Sequence, residues 1–184
     1  MIIIGITGTL GAGKGTIVEY LTQQKGFDHY SVRDFLIAEI KNRGLEVNRD
    51  TMTSTANELR ANNSPSYITD ALFSIACKKG QSAVIESIRT PGEIESLKEK
   101  GKFVLFAVDA DKQTRYKRIT ARKSETDNIS FETFIANEER EMNSNDPNKQ
   151  NLRKCIKMAD YIFNNDSTIK ELNTKVEETL SLIM

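Results

Sequence analysis

The sequence predicts an α/β fold with a parallel sheet covered by helices on both faces, and three observations predict it. Short apolar runs recur between amphipathic segments along the chain. Those runs lack the polar alternation of a strand with one wet face, so they read as strands buried on both sides. The first run ends on a glycine-rich turn that leads into a helical pattern, which is the start of a strand–helix–strand unit. At 184 residues the chain suits one domain, with room for insertions.

Ile2 to Thr7 reads as the first strand and Ile17 to Gln24 as the helix after it. Tyr30 marks a short second strand, followed by a helix over Phe35 to Asn42. Ala83 to Glu86, Phe103 to Asp109 and Tyr161 to Asn164 are three further strands, each followed by amphipathic sequence, the last helix being capped by Ser167 or Asp166. Two stretches depart from this alternation. Between Arg33 and Gly80 helical patterns follow one another with no strand, including Asp50 to Ala61 and, after Pro65, Ser66 to Lys79. That is too long for a plain crossover and reads as an inserted helical lobe, residues 33–80. Between Arg122 and Asn151 the sequence is polar and charged around one helical piece, Phe131 to Met142. So little apolar area is the composition of a mobile flap.

Composition excludes more than it selects. Lysine plus arginine and aspartate plus glutamate balance at 26 each, so no global field draws the chain to nucleic acid or an anionic membrane. No apolar stretch is long enough to span a bilayer and no basic stretch precedes Met1, so the expected address is cytoplasmic. Cys77 and Cys155 have no neighbouring thiol and read as buried thiols. His29, the single histidine, reads as an ordinary residue before the second strand.

The chemistry is concentrated at residues 8–16, GTLGAGKGT. Gly8, Gly13 and Lys14 satisfy the G-x-x-x-x-G-K core of a phosphate-binding loop, with Thr9, Leu10, Gly11 and Ala12 between them and Gly15 and Thr16 after them. The mechanism needs a strand, a loop and a helix in that order. Loop amides then form an anion nest, the helix start adds partial positive charge, and Lys14 reaches the outer phosphates. Gly15 stands where Ser or Thr ordinarily offers a metal-directed hydroxyl, and Thr16 follows it. The spelling GKGT resembles the adenylate-kinase branch of nucleoside monophosphate kinases. A GTPase is disfavoured, because Asn148, Lys149 and Gln150 are followed by Asn151 rather than the aspartate of a guanine-reading N-K-x-D pattern.

Further segments extend that resemblance. ESIR, ending on Arg89, is similar to the family's D-G-x-R stretch; the match implies that Glu86 holds magnesium through water and that Arg89 binds the acceptor phosphate. Arg115, Arg118 and Arg122 are spaced onto one helical face. RITAR resembles the segment leading into the lid of adenylate kinases, which implies that Arg118, Arg122 and, on the returning side, Arg140 close over the moving phosphoryl group. HYSVRDFLIAEI resembles the S-x-G-D-hydrophobic-hydrophobic-R segment of the acceptor lobe. Ser31 and Asp34 are in place, Arg33 occupies the glycine position, and Ile37 occupies that of the arginine that grips the monophosphate. Residues 157–165 are similar to dephospho-CoA kinases and to archaeal adenylate-kinase-related proteins, the latter being the best match over the whole chain. There Asn165 either touches the adenine or serves as a turn and cap.

The resemblance implies a three-layer P-loop sandwich with strand order 2-3-1-4-5, an acceptor lobe near 33–80 and a lid near 118–142. It implies ATP- and magnesium-dependent phosphoryl transfer to a small phosphorylated acceptor, most simply a nucleoside monophosphate. Lys14, Arg118, Arg122, Arg140 and Glu86 would be catalytic. Residues 8–16 with Asn165 would bind ATP, and Ser31, Arg33, Asp34 and Arg89 would bind the acceptor. Thr16 and Glu86 would organise Mg2+. Two alternatives stand beside it: a dephospho-CoA kinase, and an ATP-binding regulatory module with little turnover.

Overall fold

The computed structural model describes residues 1–122 and 129–184, so part of the expected lid segment, residues 123–128, lies outside the described residues. Five parallel strands form one sheet in the order β2-β3-β1-β4-β5. They are β1 (Ile3–Gly8), β2 (Asp28–Ser31), β3 (Ala83–Glu86), β4 (Phe103–Asp109) and β5 (Tyr161–Asn164). The expected α/β class and strand order are those of the structure. β1 lies at the centre, paired with β3 from Ile3↔Ala83 to Ile6↔Glu86 and with β4 from Ile3↔Phe103 to Gly8↔Val108.

Alternation along β1 divides the core. Ile2, Ile4 and Ile6 face one layer, built from Ile17 and Leu21 of α1 (Lys14–Lys25) and Leu172, Val176 and Leu180 of α9 (Ile169–Ile183). Ile3 faces the other, built from α2 (Val32–Asn42), α4 (Tyr67–Lys79), α5 (Pro91–Lys100) and the short α8 (Leu152–Lys157). Gly5 shares that second face because a Cβ there would meet the Phe103 ring at 2.6 Å and Ile88 at 2.7 Å. A strand buried on both faces accounts for the unbroken apolar run in the sequence.

α2, α3 (Arg49–Asn62) and α4 follow one another without an intervening strand, as the helical patterns between Arg33 and Gly80 indicate. Arg60 of α3 is pinned to Glu93 of α5 at 2.8 Å, with the two side chains 1% and 0% exposed. Glu93 also completes the capping box of α5 with Thr90, and its second oxygen accepts the amides of Arg89 and Thr90. One buried carboxylate thus joins α3, α5 and the chain leaving β3.

Between Arg122 and Asn151, where a mobile flap is expected, the described residues include α7 (Phe131–Met142), which packs against α6 (Lys112–Arg122) and so corrects that expectation for the helical piece. Phe131 and Phe134 pack against Tyr116 at centroid distances of 5.1 and 5.6 Å, and Phe134 is fully buried. Glu138 and Glu141 of α7 are buried ion-pair partners. Cys155 is buried as expected, whereas Cys77 is exposed on α4, since its position falls on that helix's outer side. The cap of α9 is Thr168, whose side chain accepts the Glu171 amide, rather than Ser167 or Asp166.

Ile4 is fully buried in the central strand, so Ile4→Ala is expected to lower the unfolding free energy by about 2–5 kcal/mol, read from the midpoint shift in urea at unchanged slope.

Candidate functional site: a cation-lined cavity at the phosphate-binding loop

The phosphate-binding loop follows β1 at the carboxyl edge of the sheet, where α/β folds place ligands. Three glycines in it, Gly8, Gly11 and Gly13, have no substitute. Gly8 has φ +139 and a Cβ there would fall 2.1 Å from the Val108 carbonyl; Gly13 has φ +108 and a Cβ there would fall 2.2 Å from the Asn165 amide nitrogen. Gly15, by contrast, has nothing within 4 Å of an added Cβ. α1 starts at Gly13 with no side-chain cap and no acidic residue in its first turn, whereas α2, α3, α5, α7, α8 and α9 all start on a side-chain cap. Its first amides are left for an anion.

Three distant segments brace the loop from behind. The Asn165 side chain donates to the Ala12 carbonyl at 2.8 Å, and its backbone amide donates to Asp109 at 2.8 Å. Thr9 donates to the Asp109 carboxylate. Arg115 is 2% exposed and donates to the carbonyls of Ala110 and Leu10 while pairing with Glu138 and lying 5.5 Å from the Phe134 ring centroid. Reading Arg115 together with Arg118 and Arg122 as one basic face is therefore corrected: Arg115 turns into the fold.

Lys14 donates to the carbonyls of Gly8 and Thr9, both at 2.8 Å. Burial and the nearby Arg89 charge lower its pKa to about 7, against the pull of Glu86 and Glu141. Glu86 ends β3 beside it. Burial opposes the Glu86 charge, but a contact with His29 at 3.5 Å and the Lys14 ammonium outweigh it and hold the carboxyl below the usual glutamate range. His29 lies within β2, and the same contact raises its own pKa, which corrects its reading as a bystander.

Ser87 follows Glu86 with φ +68, the one non-glycine residue with positive φ among the described residues. It occupies the position of the glycine in the D-G-x-R pattern. Ile88 then donates back to Ile6 at 3.1 Å, and the Thr7 hydroxyl donates to Ile88 at 2.8 Å, so the kink leaves Glu86 and Arg89 both on the cavity.

The cavity has a volume of about 710 Å³, the scale of a site for a small organic ligand. Among the described residues its lining holds seven cationic side chains, Lys14, Arg33, Arg49, Arg60, Arg89, Arg118 and Arg122, against two carboxylates, Glu86 and Glu141. The whole chain has a formal net charge of zero, so this is a local concentration. Leu10, Gly11, Gly13, Gly15, Thr16 and Asn165 line it too, while the loop residues Gly8, Thr9 and Ala12, expected to bind ATP, do not. Arg49 Nε, Arg60 Nη1 and Arg118 Nη1 are buried donors with no hydrogen-bond partner among the described residues. Arg118 spends its other nitrogen on the Asn165 carbonyl at 2.9 Å.

Three further expected residues are not brought to the cavity. Arg140 projects away from it, pairing with Asp50 at 3.0 Å because its neighbour Glu141 takes the inward position on α7. Ser31 and Asp34 form the start of α2, the Ser31 hydroxyl accepting the Asp34 amide. Conversely, Arg49, Arg60 and Glu141 are present without having been singled out. Glu141 bridges two arginines, at 2.5 Å from Arg49 and 2.6 Å from Arg89; burial raises its pKa, but the two guanidiniums outweigh that and keep it ionised. Their signal in the sequence was weak, since each sits in a polar helical stretch among other charges.

Glu86 and Thr16 both line the cavity, and no group of three or more His, Cys, Asp or Glu side chains is placed to hold a metal among the described residues. That donor set fits Mg2+, which takes one or two protein oxygens and completes its shell from phosphates and water. No helix of the described residues is long and apolar enough to cross a membrane.

Comparison with known proteins places this geometry. Residues 4–146 match the family described as AAA domain. A UPF0200 protein of Pyrobaculum aerophilum is 30% identical over 180 residues, covering 97% of this chain and 96% of the relative. A UPF0200 protein of Methanocaldococcus jannaschii is 26% identical, covering 100% and 91%. Among solved structures, TT1252 from Thermus thermophilus superposes with TM-score 0.65 at 20% identity over 100% of this chain and 98% of that one. Shikimate kinase from Bacteroides thetaiotaomicron superposes with TM-score 0.61 at 14% identity, covering 98% of each. The fold is that of P-loop kinases.

Ser87→Val forces a β-branched side chain into the left-handed region and is expected to destabilise the protein by about 2 kcal/mol, whereas Ser87→Gly is expected to leave stability within about 1 kcal/mol; chemical denaturation of the two variants side by side checks this.

Proposed function

We propose that this chain, which belongs to the AAA domain family and to the UPF0200 proteins, transfers the γ-phosphoryl group of ATP to a small phosphate-bearing acceptor, most simply a nucleoside monophosphate. The observation that carries this reading is the single cavity joining the loop of Lys14 to a wall of arginines in a chain with no net charge. A neutral acceptor would not need that many cations. Two phosphate groups approaching each other would, because their repulsion has to be offset before the reacting oxygen can line up.

In this reading the loop amides and Lys14 hold the β- and γ-phosphates of ATP, with Lys14 leaving its loop carbonyls for phosphate oxygens. Arg118 and Arg122 meet the charge that develops on the moving group, Arg118 having a spare donor in Nη1. Arg89 holds the acceptor phosphate and Arg33 stands at the mouth. Thr16 and Glu86 would hold Mg2+, which would supply charge neutralisation to the phosphates. α2 to α4 serve as the acceptor lobe, and α6 with α7 as the lid that keeps water from the transferring group.

Lys14→Ala is expected to reduce kcat/KM for phosphoryl transfer at least about a hundredfold, measured in coupled assays with a panel of nucleoside monophosphates, dephospho-CoA and no acceptor. Turnover with dephospho-CoA alone would replace the acceptor assigned above. Tight ATP binding without turnover on any acceptor would make the protein a nucleotide sensor, and full activity of the Lys14 variant would end the scheme.

A polyphosphate bound beside Lys14 favours its charged form, so its pKa rises from about 7 on binding. Below that pH the free protein already carries the proton and affinity is flat; above it, ATP binding takes up close to one proton and weakens with rising pH. Calorimetry at pH 8 in buffers of different ionisation enthalpy is expected to show that uptake, and to show it abolished in Lys14→Ala.

A further inference from the structure

Glu141 reaches the cavity from α7 and is the single carboxylate between two arginines that come from unconnected elements, Arg49 at the start of α3 and Arg89 after β3. Each of its oxygens serves one guanidinium, Oε1 that of Arg49 and Oε2 that of Arg89. Gln150 adds a second acceptor to Arg89 at 2.9 Å. The arrangement is a planar, two-oxygen anion seated where two cations converge. It leaves donors over: among the described residues Arg49 Nε has no acceptor, and neither has Nη1 of Arg60, whose carboxylate partner Glu93 also accepts the Arg89 amide. A carboxylate has no third oxygen to offer them. A phosphomonoester dianion has three terminal oxygens and two charges, which suits two converging guanidiniums with a spare N–H better than a carboxylate does.

We infer that Glu141 holds the place of the acceptor's phosphate between Arg49 and Arg89, and that a phosphomonoester dianion binding there expels this side chain and frees the end of α7. Identifying that dianion as the acceptor rests on the phosphoryl-transfer reading; the dianion site itself does not. Arg49 becomes the second arm of the clamp, filling the role left open by Ile37. Glu141 is then a specificity-determining residue: anions too weakly charged to displace it are refused, while a dianion is admitted and the last turn of α7 is released with it.

Orthophosphate is the probe, titrated by calorimetry into the wild-type chain, Glu141→Gln and the double variant Glu141→Gln with Arg89→Ala. Removing the internal competitor is expected to tighten orthophosphate binding about tenfold. That gain is expected to vanish in the double variant, which distinguishes this site from binding at the Lys14 loop. Glu141→Gln is also expected to melt below the wild-type temperature and to recover most of the difference on adding orthophosphate. Orthophosphate binding no tighter in a folded Glu141→Gln protein overturns the inference, as does a gain that survives loss of Arg89. Should Glu141→Gln not fold, Glu141→Asp keeps the charge but is too short to span both guanidiniums; a smaller gain supports the inference and no gain overturns it. Binding of a non-hydrolysable ATP analogue is measured on the same samples. Loss of analogue binding with the orthophosphate gain intact removes the kinase reading alone, and analogue binding without the gain removes this inference alone.

Discussion

Like charges confined to one cavity repel, and this fold gathers six arginines and Lys14 around one space while the chain as a whole is neutral. Nearly every polar choice near the site answers that constraint. Arg115 is neutralised by Glu138, Arg60 by Glu93, and Arg49 and Arg89 together by Glu141. The carboxylates come from α5 and α7, so helices far apart in sequence are fixed by the charges they must cancel. Removing one partner of such a buried pair generally costs several kcal/mol, because the other is left charged and dry. The arrangement is consequently stiff where it is paired and responsive only where a donor is spare, at Arg49, Arg60 and Arg118.

The loop obeys a second constraint. A glycine-rich turn has no side chains with which to hold itself, so its shape is imposed from outside, by Asn165 on Ala12, Arg115 on Leu10 and Asp109 on Thr9. Lys14 adds an internal tie to Gly8 and Thr9. The amides are thereby pre-arranged, and an anion entering the nest meets dipoles that need little reorganisation.

The fold was legible because its three central strands, β1, β3 and β4, are largely buried and so read as uninterrupted apolar runs; strand order and the phosphate-binding loop followed. The site was legible where spacing is rigid, at residues 8–16 and at Glu86 and Arg89. It was illegible where a helix decides which of two neighbours points inward. Arg140 and Glu141 are adjacent in sequence, and a rotation of about 100° per residue sends one to Asp50 and the other to the arginines. Arg115 and Arg118 posed the same ambiguity from one helical stripe. His29 looked idle because its partner, Glu86, lies 57 positions away on the neighbouring strand. The segment between Arg122 and Asn151 looked loose because it offers little apolar area, and only the fold reveals that α7 is also held by the ion pairs of Glu138 and Glu141 with arginines.

The AAA domain match closes at residue 146, yet one of the three braces of the phosphate-binding loop belongs to Asn165, beyond β5. The segment that carries the recognisable signature is therefore smaller than the unit that makes it competent. A polypeptide trimmed to the matched region would keep every residue from Gly8 to Thr16, with Asp109 and Arg115 behind them, and lose the brace that Asn165 sets on Ala12. Divergence in the last forty or so residues can thus retune nucleotide affinity without altering one letter of the motif by which such chains are found.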